Sequence, residues 1–535
     1  MRRRLWLALS ALGLVGAAGV TGTALAGTPA EGVIEVRTDA GPVRGVLGPG
    51  HRTFAGIPYA APPVGDLRWR APRPVTPWTT PPEVPKPGPL CAQDGEHLGE
   101  RSTAEDCLYL TVTTPARPAA RSGRPVLVWL HGGSFKDGGG RLYPAYRLAE
   151  RGDAVVVTIN YRLGALGFLA HPLLRDAGVS GGFGLADQQA ALRWVQRNAA
   201  AFGGDPGNVT LAGESAGAIS VCAHLAAPSS AGLFHRAIMQ SGPCVASSSA
   251  GAGSGNGPRS RAVAEEQGRR FVAALGLGPA PTAEQLRDPE LVPPGRLLAA
   301  AAAAGSSFGP VYGSALLPID PARAVTSGRM NRVPVLHGMN RDEQRLQVWG
   351  HEMAKYQGPL PAGQYASEVR AAFGADAARV LRAYPLRRYD SASHAFAAVL
   401  TDAELAASTV RTTAAFSRRA PTFTYEFADA DAPWFSAFPQ PYPMGAYHAA
   451  ELPYLFDVAG TEPLKPAQRQ LADRMIGYWA AFARAGDPNT PGAPVWHRSG
   501  PRRPAVQTLA PGAQGIGPGE FAAAHRYAFW STVRR

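Results

Sequence analysis

The chain has 535 residues, a formal net charge of +13 and only four cysteines. Its charged residues (17% of the chain) are scattered, and no basic run is interleaved with aromatics, which argues against a nucleic-acid-binding protein. With 45% apolar residues the chain can bury a large core; length alone suggests roughly two or three domains, although large α/β enzymes run as one.

The start, MRRRLWLALSALGLVGAAGVTGTALA, joins a basic front to an apolar stretch and ends on Ala24-Leu25-Ala26. That pattern predicts a secretory signal peptide over residues 1–26, leaving a single domain over 27–535. Loss of Arg2, Arg3 and Arg4 lowers the charge from +13 to +10. An uncleaved N-terminal anchor is the competing reading. No other segment is apolar for long enough to cross a bilayer, so the mature chain is expected to be secreted, without stable membrane insertion, and monomeric. In an exported chain, the even set Cys91, Cys107, Cys222 and Cys244 favours disulfides, and proximity favours Cys91–Cys107 and Cys222–Cys244 among three possible pairings. Their spacing matches no zinc pattern, and no metal or cofactor is expected.

Further along, residues 74–90 are rich in proline and predict an extended surface loop. Apolar runs of strand length recur at 108–112, 126–133, 154–162, 209–215, 333–340 and 423–427. They are continuous rather than alternating, as in strands buried on both faces. Between them, Leu185, Leu192, Val195, Ala199 and Phe202 share one helical face before Gly203, Gly204 and Pro206 end the helix. The alternation predicts an α/β fold, a large and mostly parallel sheet with helices on both faces. The segment 246–261, rich in glycine and serine, reads as a flexible excursion.

The stretch VTLAGESAGAISVCAHL reads strand, tight turn, helix, with Ser215 between Gly213 and Gly217. This is the setting of a nucleophile elbow. The N–H of Ala216 then opens the helix, where its dipole favours a developing oxyanion. Upstream, VLVWLHGGSF ends a buried strand in His131-Gly132-Gly133-Ser134, and the N–H groups of Gly133 and Ser134 are candidate partners of Ala216 in an oxyanion hole. A base and an orienting acid must follow in the order acid, then histidine. Asp342 and Glu343, just past a strand, are both candidates for the acid, and the chemistry alone does not choose between them. His448 is the candidate base, while His131, His224, His235 and His337 are expected to be structural.

Taken together, FAGIPYAAPP (54–63), EDCLYLTV (105–112), LHGGSF, INYRLGALGFL (159–169), AFGGDPGNVTLAGESAGA, HRAIMQSG, GMNRDE and YHAAELPYLF resemble the type-B carboxylesterase/lipase family, cholinesterase-like α/β-hydrolases, from about residue 30 to about residue 530. The resemblance implies an α/β-hydrolase fold and a Ser–Glu–His triad of Ser215, Glu343 and His448. It implies oxyanion donors at Gly133, Ser134 and Ala216, and supports the pair Cys91–Cys107. Glu214 and Ser241 are expected to tune the His448–Glu343 pair or simply to satisfy local hydrogen bonds. Ser134 replaces the third glycine of the usual HGGG, Gln344 stands where glycine is common, and Gly182 stands for a usual asparagine. The short loop between Cys91 and Cys107 has no tryptophan, so choline esters are not favoured substrates. The expected activity is hydrolysis of small-molecule carboxylic esters through an acyl-enzyme. The alternatives are a lipase acting on glycerides and a non-catalytic binding protein on the same fold.

Overall fold

The computed structural model describes residues 32–533 apart from 82–85, 96–99, 121, 175–177, 247–256, 435–438 and 503. The leader predicted over 1–26 and most of the stretch 246–261 lie outside the described residues. Fourteen strands follow in chain order among the described residues: β1 (Val33–Arg37), β2 (Pro42–Gly48), β3 (His51–Pro58), β4 (Tyr109–Pro115), β5 (Arg124–Leu130), β6 (Val155–Ile159), β7 (Gly204–Glu214), β8 (Arg236–Gln240), β9 (Arg259–Ser260), β10 (Val311–Tyr312), β11 (Val335–Asn340), β12 (Thr422–Phe427), β13 (Val506–Leu509) and β14 (Ile516–Gly519). β9 and β10 pair with each other; the rest form one sheet in the order β1-β2-β3-β4-β6-β5-β7-β8-β11-β12-β13-β14. From β6 to β13 every neighbouring pair is parallel. Antiparallel pairs extend both edges.

The continuous apolar runs are explained by what covers the sheet. Every residue of β5 is buried. Val126, Val128 and Leu130 join one core with Leu192 and Val195 of the helix Phe183–Asn198 and Val221 of the helix Ala216–Ala226. Leu127 and Trp129 face the other way, into a core with Met475, Trp479 and Phe482 of the helix Pro466–Ala485. Successive strand side chains point to opposite faces, and here both faces are roofed by helices. Each such Val, Leu or Phe contributes roughly 1.5–3 kcal/mol through burial.

The helical face predicted from Leu185 to Phe202 is buried throughout. Its α-helix ends at Asn198, a tighter turn continues to Phe202, and Gly203 reverses the chain at φ 81°. Cys91 pairs with Cys107 and Cys222 with Cys244, with Cα separations of 5.0 and 5.5 Å. The second bond ties the helix Ala216–Ala226 to the segment leaving β8. Among the described residues no helix is long and apolar enough to cross a membrane, and no cluster of ligating side chains fits a metal ion.

Candidate active site

β7 runs straight into Ser215, and the helix Ala216–Ala226 starts at the next residue. Ser215 takes φ 52° and ψ −119°, a conformation costing about 1–3 kcal/mol for a residue with a Cβ. Its N–H is held by the carbonyl of Gln240 at 2.8 Å, and its carbonyl accepts from the N–H of Ile219 at 3.0 Å. The flanking glycines are steric necessities. A Cβ on Gly217 would lie 1.9 Å from the Leu130 carbonyl oxygen, and one on Gly213 would lie 2.6 Å from the Gly217 carbonyl carbon.

The two partners arrive from the carboxyl ends of later strands. β11 ends at Asn340, and the turn after it carries Asp342 and Glu343; His448 lies on the long connection that follows β12. His448 Nε2 is 3.0 Å from Ser215 Oγ, and His448 Nδ1 is 2.6 Å from Glu343 Oε2. The other Glu343 oxygen accepts the N–H of Asn340 at 2.8 Å. Asp342 turns away: it accepts the N–H of Ala446 at 3.0 Å and pairs with Arg345 at 2.8 Å, joining the two loops behind the imidazole.

Glu214, buried, brings Oε1 within 3.2 Å of His448 Nε2. Burial above all, opposed by the imidazole and assisted by Glu451 and Glu343, raises the Glu214 carboxyl to about 8. Burial lowers the His448 pKa, but attraction to Glu214 and Glu343 outweighs it and holds the ring above the ordinary histidine value. Ser241 follows β8 at φ 53°, its N–H bonded to the Gly338 carbonyl at 2.9 Å. Its buried hydroxyl makes no hydrogen bond to His448 or Glu343, so the structure does not tie it to that pair. The other buried histidines are occupied elsewhere: His131 stacks on Tyr161, and His224 meets Gln188 and Ser230.

Gly133, Ser134 and Phe135 all have positive φ, at 97°, 57° and 58°. This coil lies against Ser215: a Cβ on Gly132 would be 3.1 Å from Ser215 Cβ. Ala216 is the first residue of its helix, where N–H groups have no partner within the helix.

Behind the imidazole lies a network that the sequence reading missed. Fully buried Glu451 accepts from Gln240 Nε2 at 2.8 Å and from Asn340 Nδ2 at 2.6 Å. Asn340 Nδ2 also donates to the Tyr447 carbonyl at 2.8 Å, and Trp479 Nε1 fixes the Gln240 amide by donating to its oxygen at 2.9 Å. One donor reaches each Glu451 oxygen, so a carboxyl group fits where an amide, with its own N–H₂ facing a donor, does not. The spacing of Glu451 three residues after His448 was the available signal, but an apolar run surrounds it and it reads as part of a buried turn.

A serine on a strained strand-to-helix bend, with a histidine and a glutamate from later strand ends, is an α/β-hydrolase arrangement. Comparison with known proteins narrows the class. Residues 32–530 match the carboxylesterase family, and the chain belongs to it. It is 35% identical over 491 residues to para-nitrobenzyl esterase of Bacillus subtilis (strain 168), covering 86% of this chain and 92% of that one. It is 32% identical over 511 residues to human cocaine esterase, covering 90% and 87%. Among solved structures, a Geobacillus stearothermophilus carboxylesterase superposes with a TM-score of 0.76 at 31% identity, over 92% of this chain and 99% of that one. The protein is a carboxylic ester hydrolase.

Proposed function

We propose that the protein is an exported serine carboxylesterase working through Ser215, His448 and Glu343. The reading is carried by the unbroken succession of hydroxyl, imidazole and carboxylate, at 3.0 and then 2.6 Å. In this cycle His448 Nε2 takes the proton of Ser215 Oγ as that oxygen attacks the ester carbonyl carbon. The carbonyl oxygen, now an anion, is received by the N–H groups of Gly133, Ser134 and Ala216. The proton on Nε2 then passes to the departing alcohol, leaving an acyl-enzyme. Water repeats both steps and releases the acid. Glu343 accepts the Nδ1–H throughout and stabilises the imidazolium. These side chains accomplish the cycle without a cofactor.

Export is supported by the N-terminal pattern over residues 1–26 and by two disulfides, which persist in oxidising compartments. The remainder, 27–535, reads as one hydrolase domain built on one large sheet. The names of the esterase relatives favour small carboxylic esters as substrates. The test is Ser215→Ala on purified mature protein with short- and long-chain p-nitrophenyl esters. Turnover should fall by roughly 10⁴–10⁶, and an organophosphate should label the wild type at Ser215 alone. Near-normal turnover in the variant refutes the triad, and a strong preference for long, insoluble acyl chains replaces the esterase with a lipase.

A further inference from the structure

The turn offering the Gly133 and Ser134 N–H groups cannot be expected to hold itself. Three successive residues have positive φ, and two of them, Ser134 and Phe135, carry a Cβ. Ser134 stands where glycine is usual, which makes the strain greater in this chain. Within the turn, the Gly133 carbonyl accepts from the N–H groups of Lys136 at 2.9 Å and Asp137 at 3.0 Å. The far end folds back on the start: a Cβ on Gly138, whose φ is +115°, would lie 2.3 Å from His131 Nδ1 and 2.8 Å from the Gly132 oxygen.

That far end is held by the loop that the Cys91–Cys107 bond closes. Gln93 is completely buried. Its Oε1 accepts the Gly138 N–H at 2.8 Å, while its Nε2 donates to the Gly138 carbonyl at 3.0 Å and to the Cys91 carbonyl at 3.0 Å. Both polar groups of one glycine thus end on one amide. Beside it, Asp137 Oδ1 accepts the Gly95 N–H at 3.1 Å. Asn160 Oδ1 accepts the Gly140 N–H at 2.8 Å, and its Nδ2 reaches back to the Pro89 and Cys107 carbonyls at 2.8 and 3.1 Å. A side-chain amide carries its acceptor and its donor on two adjacent atoms, and here one meets the Gly138 N–H and the other the Gly138 carbonyl.

We propose that Gln93 is a positioning residue for the oxyanion hole, the point through which the disulfide-closed loop sets the Gly133 and Ser134 N–H groups. The proposal rests on the esterase reading above. Loss of the Gln93–Gly138 pair lets the strained turn relax and swings those N–H groups off the oxyanion while the substrate-binding walls remain. The cost therefore falls on the transition state.

The experiment compares Gln93→Met, Gln93→Asn and, as a control in the same loop, Ser102→Ala, which removes a bond to the Leu90 carbonyl but touches nothing in the turn. Thermal melting identifies the folded variants, and either Gln93 variant suffices. Each is assayed on p-nitrophenyl acetate and titrated with a trifluoromethyl ketone. The ketone's carbonyl carbon bonds to Ser215 Oγ, the hydroxyl proton passes to His448, and the ketone oxygen becomes the anion in the hole. The expected result in the Gln93 variants is a kcat lower by about tenfold or more, KM within about threefold, and ketone affinity reduced by the same factor as kcat. Ser102→Ala should keep kcat within about twofold. Undiminished kcat in a folded Gln93 variant overturns the proposal. So does lost kcat with unchanged ketone affinity, or an equal loss in Ser102→Ala. Wild type against Ser215→Ala in the same assay tests the esterase reading separately.

Discussion

Three carboxylates surround one imidazole, and their surroundings give them different tasks. Glu343 faces Nδ1 at 2.6 Å, the place of the orienting acid in the proposed triad. The Glu451 carboxyl is raised by burial, and the two amides that converge on its oxygens oppose that rise. Glu214 Oε1 lies 3.2 Å from His448 Nε2; burial raises its carboxyl, and the facing imidazole opposes that rise. Its ionised form adds its own pull on the His448 proton. Glu214→Gln removes one of the charges that raise His448, so the acid limb of the kcat/KM–pH profile should move to lower pH, with a lower plateau. A pH–rate series on one ester reads this; an unmoved acid limb means that Glu214 has no hold on His448. At this scale the sequence was informative about kinds of residue and silent about direction. Asp342 and Glu343 are neighbours of like chemistry, and only the turn after β11 shows that one caps Ala446 while the other meets the imidazole. Glu451 and Gln240 were hidden because a buried polar side chain leaves no periodic mark; its partners come from strands and helices far away in the chain.

Among the elements, the elbow is where steric demand is greatest. With 1.9 Å available between a Cβ at position 217 and the Leu130 carbonyl, Gly217→Ala forces β5 and the helix Ala216–Ala226 apart. Overpacking of that kind costs about 1–3 kcal/mol, and here it also shifts Ser215. A lower melting temperature together with a lower kcat is expected; loss of stability with full turnover would show that the elbow tolerates the displacement. The strands that position the site were legible because burial on both faces writes an unbroken apolar run. β1–β3 were not read: they lie toward one edge of the sheet, where exposed positions such as Glu35 interrupt the pattern. β8, Arg236-Ala-Ile-Met-Gln, is too short and too polar at its ends to stand out. β14 contains Pro518, which is tolerated because this last strand pairs only with β13.

Across the whole molecule, the C-terminal segment is secured by a buried charge cluster. His525 meets Asp402 at 2.5 Å and Glu426 at 2.6 Å, joining the chain end to a π-helical turn (Thr401–Ala406) and to β12. Tyr384 donates to the other Asp402 oxygen at 2.6 Å and accepts from Trp530 Nε1 at 2.6 Å. Burial opposes the charged imidazole, but the hydrogen bonds and charges of Asp402 and Glu426 raise His525 from 6.5 to about 10. A folded-state pKa raised in this way gives stability that is complete below about 6.5 and is lost as pH climbs through about 10. His525→Gln leaves two buried carboxylates without a cation, at a cost of about 3–5 kcal/mol at neutral pH. Thermal melts from pH 6 to pH 10 should show the gap between wild type and variant narrowing as pH rises; a constant gap would mean that His525 stays neutral in the fold.

The spacing of the site along the chain has a temporal consequence. Ser215 and His448 are separated by 233 positions, and β13 and β14 lie further along the chain still. Such distant contacts form slowly, after the costly closure of long loops. A chain cut short anywhere ahead of residue 448 would possess the bent serine yet lack the imidazole that faces it. During refolding, returning turnover would thus time the docking of the final quarter of the polypeptide, and early collapse would pass unseen in an activity trace.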